Sequence, residues 1–236
     1  YIDSYDDIVR FNRSKYVQSD MGLMYRKVKE ILEKDNFVLF TGTPCQCEGL
    51  FCYLKKDYDK LYTMDLFCKG VPSPKVWETY LGFHQARNSS GISQIRFREK
   101  TYGYGSATMH VVYNDGREYD EPYDVDPMLL FYNKELISRP SCYQCKFKGK
   151  SKRCDFTVGD YFYIAGAAPS MDDGAGVTVL CVNTLKGRKA FEAISRKLDV
   201  VALDYENDNV LNAGMMVNSP ISNDRRNDFF RDLNDG

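Results

Sequence analysis

Two short apolar runs constrain this chain most, because each breaks off at a turn and hands over to a helical pattern. Residues 36–40 (NFVLF) are almost wholly apolar, as strands buried on both faces of a parallel sheet are. The run stops at Thr41-Gly42-Thr43-Pro44-Cys45, and residues 46–55 are expected to form a helix. Residues 61–67 (LYTMDLF) repeat the pattern and end at Cys68. After the turn Gly70-Val71-Pro72-Ser73-Pro74, residues 75–87 read as a helix with Ser73 as cap and Pro74 at the first helical position. Upstream, residues 21–34 set Met24, Val28, Ile31 and Leu32 at helical spacing. Helix, strand, helix, strand, helix is the order of a parallel α/β sheet. Ligands of such sheets collect at the carboxyl ends of the strands, and both Cys45 and Cys68 fall at that edge.

From Gly91 the texture changes. Residues 92–98 alternate like a strand, and residues 107–123 read as a hairpin turning at Asn114-Asp115-Gly116. A helix is expected over residues 126–137, followed by a loop, residues 139–148, with Cys142 and Cys145 as a CxxC pair at its centre. Residues 154–162 and 176–183 look like strands, residues 185–198 like a helix, and residues 200–203 like a last short strand. The polar stretch of residues 223–228 fits a frayed tail. The fold class expected is α/β: a mostly parallel sheet with flanking helices, plus an antiparallel hairpin region and a cysteine-bearing loop. Residues 1–90 form the α/β portion with Cys45 and Cys68, and residues 91–236 an α+β portion with the CxxC loop, together in one compact unit.

With 32 basic and 33 acidic residues the net charge is −1, which gives no support for a nucleic-acid or anionic-membrane partner. No apolar run approaches the ~20 residues that cross a bilayer. The chain opens on Tyr1 rather than a methionine, so it reads as an N-terminally truncated portion of something longer. Eight cysteines in 236 residues are too sparse for a disulfide-built scaffold. Most lie beside Gly, Pro or charged residues, and loop cysteines in a chain without secretory signs point to metal or redox chemistry in a reducing, cytoplasmic setting.

A CxxC loop can turn two thiolates onto one metal centre. By itself it fits a redox disulfide, half a zinc site or half an iron–sulfur site equally. A thioredoxin-like role is disfavoured, since Cys142 follows the turn-like Arg139-Pro140-Ser141 rather than a strand. Cys45 and Cys68 are the natural donors of two further thiolates. Spacing alone does not choose between a shared metal site and scattered structural thiols, and ligand type does not separate zinc from an iron–sulfur cluster. Cys47 and Cys154 are spare candidates, while Cys52 and Cys181 are expected to be buried packing. His84 and His110 are isolated and expected to be surface or core residues. Asp65, Asp155 and Asp160 could act as acids or bases, but neither histidine has a catalytic context, and no catalytic residue is singled out. Thr41-Gly42-Thr43-Pro44 is a tight turn or a phosphate cradle at a helix start. The basic run Lys146, Lys148, Lys150, Lys152 and Arg153 is a solvated loop or an attractor for an anionic cofactor or acidic carrier.

Several segments together resemble one family: residues 14–19 (SKYVQS), 42–46 (GTPCQ), 65–74 (DLFCKGVPSP), 95–100 (IRFREK), 139–147 (RPSCYQCKF), 155–160 (DFTVGD) and 182–187 (VNTLKG). In this order, over nearly the whole chain, they are similar to the beta subunits of coenzyme F-420 hydrogenase and dehydrogenase and related bacterial proteins. The resemblance implies an FAD-containing oxidoreductase with a 4Fe-4S cluster beside the flavin. Such proteins pass electrons between iron–sulfur carriers or partner subunits and a small hydride-accepting redox cofactor, a deazaflavin in the archaeal enzymes. Carried over, the cluster ligands are Cys45, Cys68, Cys142 and Cys145, and Lys15, Tyr16, Gln18, Thr43, Gln46, Gly159 and Asp160 are flavin or substrate contacts. The competing reading is a non-catalytic structural domain whose four cysteines hold zinc.

Three departures from the family pattern stand out. Lys69 replaces a common histidine beside Cys68. Asp160 is followed by Tyr161-Phe162-Tyr163 instead of a Trp-Gly pair, so one of these rings is expected to take over any packing on a cofactor. The ferredoxin-like and flavin-holding segments usual in the family would precede Tyr1, so FAD binding is expected to be weakened or lost in this fragment.

Overall fold

The first apolar run forms β1 (Val38–Gly42) and the second β2 (Leu61–Leu66), paired in parallel with Gly42 opposite Asp65. This is a computed structural model, and it describes residues 1–204 and 215–235. α1 (Met24–Glu33) and α2 (Pro44–Leu54) pack beside these strands, and α3 (Pro74–Asn88) follows β2 in the chain. Pro44 and Pro74 sit in the first turns, where a missing N–H costs nothing. Ser73 occupies the cap position of α3, but its hydroxyl makes no capping hydrogen bond.

An antiparallel sheet follows: β3 (Ile92–Glu99), β4 (Thr108–Tyr113) and β5 (Glu118–Pro122), in the order β3-β4-β5. The β4–β5 hairpin closes where expected, with Tyr113 N–H donating to the Arg117 carbonyl at 2.9 Å. The next helix, α4 (Pro127–Asn133), is shorter than its pattern suggested, and the chain leaves it through Glu135 at φ 58°. Then come β6 (Phe156–Asp160), the single turn α5 (Ile164–Ala167), β7 (Thr178–Val182), α6 (Leu185–Ile194) and α7 (Arg226–Asp235). β6 joins β2 in parallel and β7 closes the sheet antiparallel, in the order β1-β2-β6-β7.

Two expectations are corrected. Residues 200–203 form no strand, and Val200 and Val201 are half-exposed. The region expected to be a frayed tail runs into α7, whose Phe229, Phe230 and Leu233 pack on a hydrophobic core. Those three side chains share one helical stripe, and their burial offsets the polarity of the residues before them.

The chain divides into two compact units, each assembled from separated segments. The first comprises residues 1–18, 70–143 and 221–236; the second comprises residues 19–69 and 144–220. In the second unit, α1 and α2 lay Val28, Leu32, Cys47, Leu50 and Leu54 on Phe40 and Leu61. Leu50 is fully buried, and burial of such a side chain contributes roughly 2 kcal/mol. A second core in this unit gathers Phe67, Tyr161, Ile164, Val179 and Met216.

The first unit packs Val76 and Tyr80 of α3 on Phe97, Met109 and Val111 of its sheet, with Met128, Leu129 and Tyr132 of α4. His84 is inside this core, 1% exposed, its Nδ1 2.7 Å from the Tyr113 hydroxyl. Asn88 Nδ2 donates to the same hydroxyl at 2.8 Å. Nε2 has no hydrogen-bond partner, and the rings of Tyr80 and Tyr119 lie edge-on at 4.5 and 4.7 Å. Burial holds the imidazole below its ordinary value of 6.5, with Arg87 adding to the shift and Asp126 opposing it. The folded state therefore keeps His84 neutral while the unfolded chain protonates it. Stability is intact above that ordinary value and is lost as pH falls from it toward the depressed one. Glu99, pulled down to about 2 mainly by Arg13, loses its contribution only on further acidification. Urea midpoints between pH 7 and 5.5 are expected to fall in the wild type and stay flat in His84→Gln; equal slopes would contradict this assignment.

Candidate functional site

The carboxyl ends of β1 and β2 adjoin in the second unit, and each delivers a cysteine. β1 turns through Thr43 into α2, which puts Cys45 in the first helical turn, exposed, with its Sγ 3.1 Å from Thr43 Oγ1. Thr43 and Gln46, both expected at the flavin, hold this turn together. Gln46 Oε1 accepts the Thr43 N–H at 2.9 Å and the Thr43 hydroxyl at 3.0 Å. Its Nε2 donates to Ser19 Oγ at 2.9 Å, and only 8% of Gln46 is exposed.

Cys68 follows β2 and is half-buried. Phe67 N–H donates to the Val158 carbonyl at 2.8 Å, which extends the β2–β6 pairing toward Cys68. Gly159, opposite Val179 in the β6–β7 ladder, leaves room for Phe67, since a Cβ there would lie 2.4 Å from the ring. Asp160 ends β6 half-buried beside Thr178. Of the aromatic residues that replace the family's Trp-Gly pair, Tyr161 is 1% exposed and packs in a core, whereas Phe162 and Tyr163 are 52% and 42% exposed. The rings accessible to a cofactor are therefore those of Phe162 and Tyr163.

Cys145 also belongs to the second unit; its N–H donates to Ser219 Oγ at 3.0 Å. The basic run that follows is solvated only in part: Lys146, Lys150 and Arg153 are exposed, whereas Lys148 and Lys152 turn inward. Lys148 Nζ donates to the carbonyls of Cys68 and Met215. Lys152 Nζ lies 3.4 Å from Asp65 Oδ2 and donates to the Phe147 carbonyl at 3.0 Å, while Arg153 pairs with Glu48 at 3.0 Å. Asp65 and the Lys152 side chain are 2% and 7% exposed. Burial raises the Asp65 carboxyl, against the opposing pull of Thr157 and Lys152. Lys152 was not separable from its neighbours in the basic run, but Asp65 carried a signal. It continues the inward set Leu61, Thr63, Asp65 of β2.

The fourth cysteine and three of the expected flavin contacts lie in the first unit. There the turn after Cys68 is stitched to the segment before the CxxC pair: Ser73 N–H reaches the Ile137 carbonyl and Arg139 N–H the Val71 carbonyl, each at 2.9 Å. Gly70, at φ 138°, faces Cys142 so closely that a Cβ would stand 3.2 Å from the Cys142 Cβ. Lys15 Nζ donates to the Asn12 carbonyl at 2.8 Å, and Gln18 accepts from Arg139. Tyr16 packs between Phe97 and Tyr132, with ring centroids 5.8 and 4.9 Å away.

The spare cysteines separate from the four. Cys47 and Cys154 are buried in the core under α2, and the hydrogen bond that the Cys47 thiol makes to Cys154, together with burial, pushes that thiol far up. Burial pushes Cys181 up to about 11. Cys52 is exposed, not buried as expected, because it shares the outward face of α2 with Cys45. Cys45, Cys68, Cys142 and Cys145 are reduced thiols, one exposed and three half-buried, so their donor chemistry and access suit a thiolate-held metal or cluster. Among the described residues, no group of three or more His, Cys, Asp or Glu side chains is arranged to hold a metal ion. Nor is any described helix long and apolar enough to cross a membrane.

No curated protein matches the chain. Among solved structures, a chain of the xenon-derivatized F420-reducing NiFe hydrogenase complex from Methanosarcina barkeri is similar, at 18% identity and a TM-score of 0.48. The match covers 81% of this chain and 59% of that one, so this chain spans less than two thirds of that relative's length. The family model for the C terminus of the coenzyme F420 hydrogenase/dehydrogenase beta subunit matches residues 35–207, and so takes in Cys45, Cys68, Cys142, Cys145 and the Asp155–Asp160 segment. The chain belongs to the family of coenzyme F420 hydrogenase/dehydrogenase beta subunits, and the match lies in their C-terminal part.

Proposed function

We propose that this chain is the electron-relaying part of an oxidoreductase. In this reading Cys45, Cys68, Cys142 and Cys145 hold a 4Fe-4S cluster that works with FAD. The observation that carries the reading is the delivery of Cys45 and Cys68 to the carboxyl ends of adjacent parallel strands in a chain of this family. When bound, the flavin would convert single electrons from an iron–sulfur carrier or partner subunit into a hydride for a small redox cofactor. The chain's own residues hold and tune. The Thr43 hydroxyl, 3.1 Å from Cys45 Sγ, would donate to a thiolate there by turning its single proton away from Gln46 Oε1, and such hydrogen bonds to sulfur adjust cluster potentials. Lys15, Gln18 and Asp160 would offer polar contacts to the flavin or substrate, while Tyr16, Thr43, Gln46 and Gly159 would shape the site through packing and capping.

Anaerobic reconstitution with iron and sulfide tests this. Broad brown absorption with about four irons per chain is expected for a single such cluster, and Cys142→Ser should lose it while remaining folded. Colourless protein that retains stoichiometric zinc would instead establish the four cysteines as a structural zinc site.

A further inference from the structure

The buried ion pair at the end of β2 has no evident stabilising purpose. Asp65 and Lys152 are both withdrawn from water, yet Asp65 Oδ1 has no hydrogen-bond partner. Desolvating two charges consumes most of what their attraction returns, and an uncapped carboxylate oxygen adds to the deficit. Both lysines that turn inward come from the few residues after Cys145, and both grip the end of β2. Lys148 takes the Cys68 carbonyl, and Lys152 takes Asp65, three residues before Cys68. Lys152 also holds the Phe147 carbonyl, and Gly149 N–H donates to the Met216 carbonyl at 3.1 Å. The loop after Cys145 is thus fixed to the strand that delivers Cys68, by bonds that a random surface loop would not make.

Resting on the redox reading above, we propose that Lys148 and the Asp65–Lys152 pair are positioning residues, which fix the backbone of Cys145 relative to Cys68 so that both thiolates can serve one cluster. Conformational registry is the best-attested use of a buried polar pair whose net stabilisation is small. Outer residues that orient ligands change metal retention by about 10–100-fold when removed. None of these three side chains is a ligand or a catalytic residue; each acts through the loop it holds.

The test separates registry from folding. Lys152→Met alone would leave the Asp65 carboxylate buried without its cation and can fail to fold. In the double variant Asp65→Asn, Lys152→Met, no charge is left unpaired, and the side chain at position 65 still accepts from Thr157. Wild type, the double variant and Lys152→Arg are reconstituted with iron and sulfide, melted, and challenged with a chelator while the visible absorbance is followed. The double variant should melt like the wild type but lose its cluster roughly tenfold faster or more, and Lys152→Arg should recover most of the lifetime. Equal cluster lifetimes in wild type and double variant would overturn the positioning role and leave the redox reading standing. A wild type that never takes up a cluster would overturn the redox reading, and the positioning role with it.

Discussion

Asp155→Ala is expected to destabilise the second unit by about 3 kcal/mol, although Asp155 lies in one of the segments that mark the family. The side chain is 3% exposed and serves three elements. Its Oδ2 accepts the Thr63 N–H at 2.9 Å and the Thr63 hydroxyl at 3.2 Å, and its Oδ1 accepts the Thr184 hydroxyl at 2.6 Å. Thr184 caps α6, its Oγ1 taking the Gly187 N–H at 2.9 Å, so one carboxylate ties β2, the head of β6 and the start of α6. Alanine strands a buried main-chain donor and two threonine hydroxyls, at about 1–3 kcal/mol for each group that finds no other partner. Lys186, 3.6 Å from Oδ2 and 38% exposed, can turn to solvent and adds little. Hydrogen exchange at the Thr63 amide should lose about two decades of protection, since each 1.4 kcal/mol is roughly tenfold. Asp155→Asn, which keeps an acceptor, should lose less than half of that. Unchanged protection in Asp155→Ala would make this residue a functional candidate again.

What was legible in the sequence was local, and what was not depended on partners far along the chain. β1 and β2 were readable because apolar runs that stop at turns have few alternatives, and the cysteines at their ends followed at once. Cys52 was misjudged on the same helix. Seven residues make nearly two turns, so Cys52 repeats the position of Cys45, and Cys45 faces outward. The buried stripe of α2 is instead Cys47, Leu50 and Leu54. The polar stretch before α7 hid a helix because its apolar residues begin only at Phe229. Pairing of β2 with β6 joins residues about ninety apart, Asp65 to Thr157, and this is what draws residues 144–220 onto residues 19–69. No periodicity in either segment announces that choice, and each unit is built from segments that are separated along the chain. The inward lysines were hidden for a related reason: Lys148 and Lys152 look like their exposed neighbours until the carbonyls and carboxylate that receive them are placed.

The second large effect is expected in the first unit, where Asp126→Ala should cost about 4 kcal/mol. Asp126 is fully buried and caps α4, its Oδ1 accepting the Leu129 N–H at 2.9 Å. Its Oδ2 accepts two tyrosine hydroxyls, Tyr80 at 2.7 Å and Tyr119 at 3.0 Å. Burial and the facing carboxylate push both phenols far up, so each remains a proton donor across the pH range in which the protein is handled. Losing the cap alone costs about 1 kcal/mol. Each hydroxyl left without an acceptor in this core adds about 1–3 kcal/mol. The rings of Tyr80 and Tyr119 also flank His84, so the carboxylate fixes the aromatic cage that keeps the imidazole dry. A double-mutant cycle isolates the polar part. Tyr80→Phe in the wild type removes one donor and should cost about 1 kcal/mol, because Asp126 retains Tyr119 and Leu129. In the Asp126→Ala background the same change removes a hydroxyl that already lacks its acceptor, so it should be neutral or stabilising. Urea unfolding of the four proteins gives the coupling directly: a value above about 1 kcal/mol is expected for groups in one hydrogen-bonded network, and strict additivity would mean that Tyr80 is held by packing and not by this carboxylate.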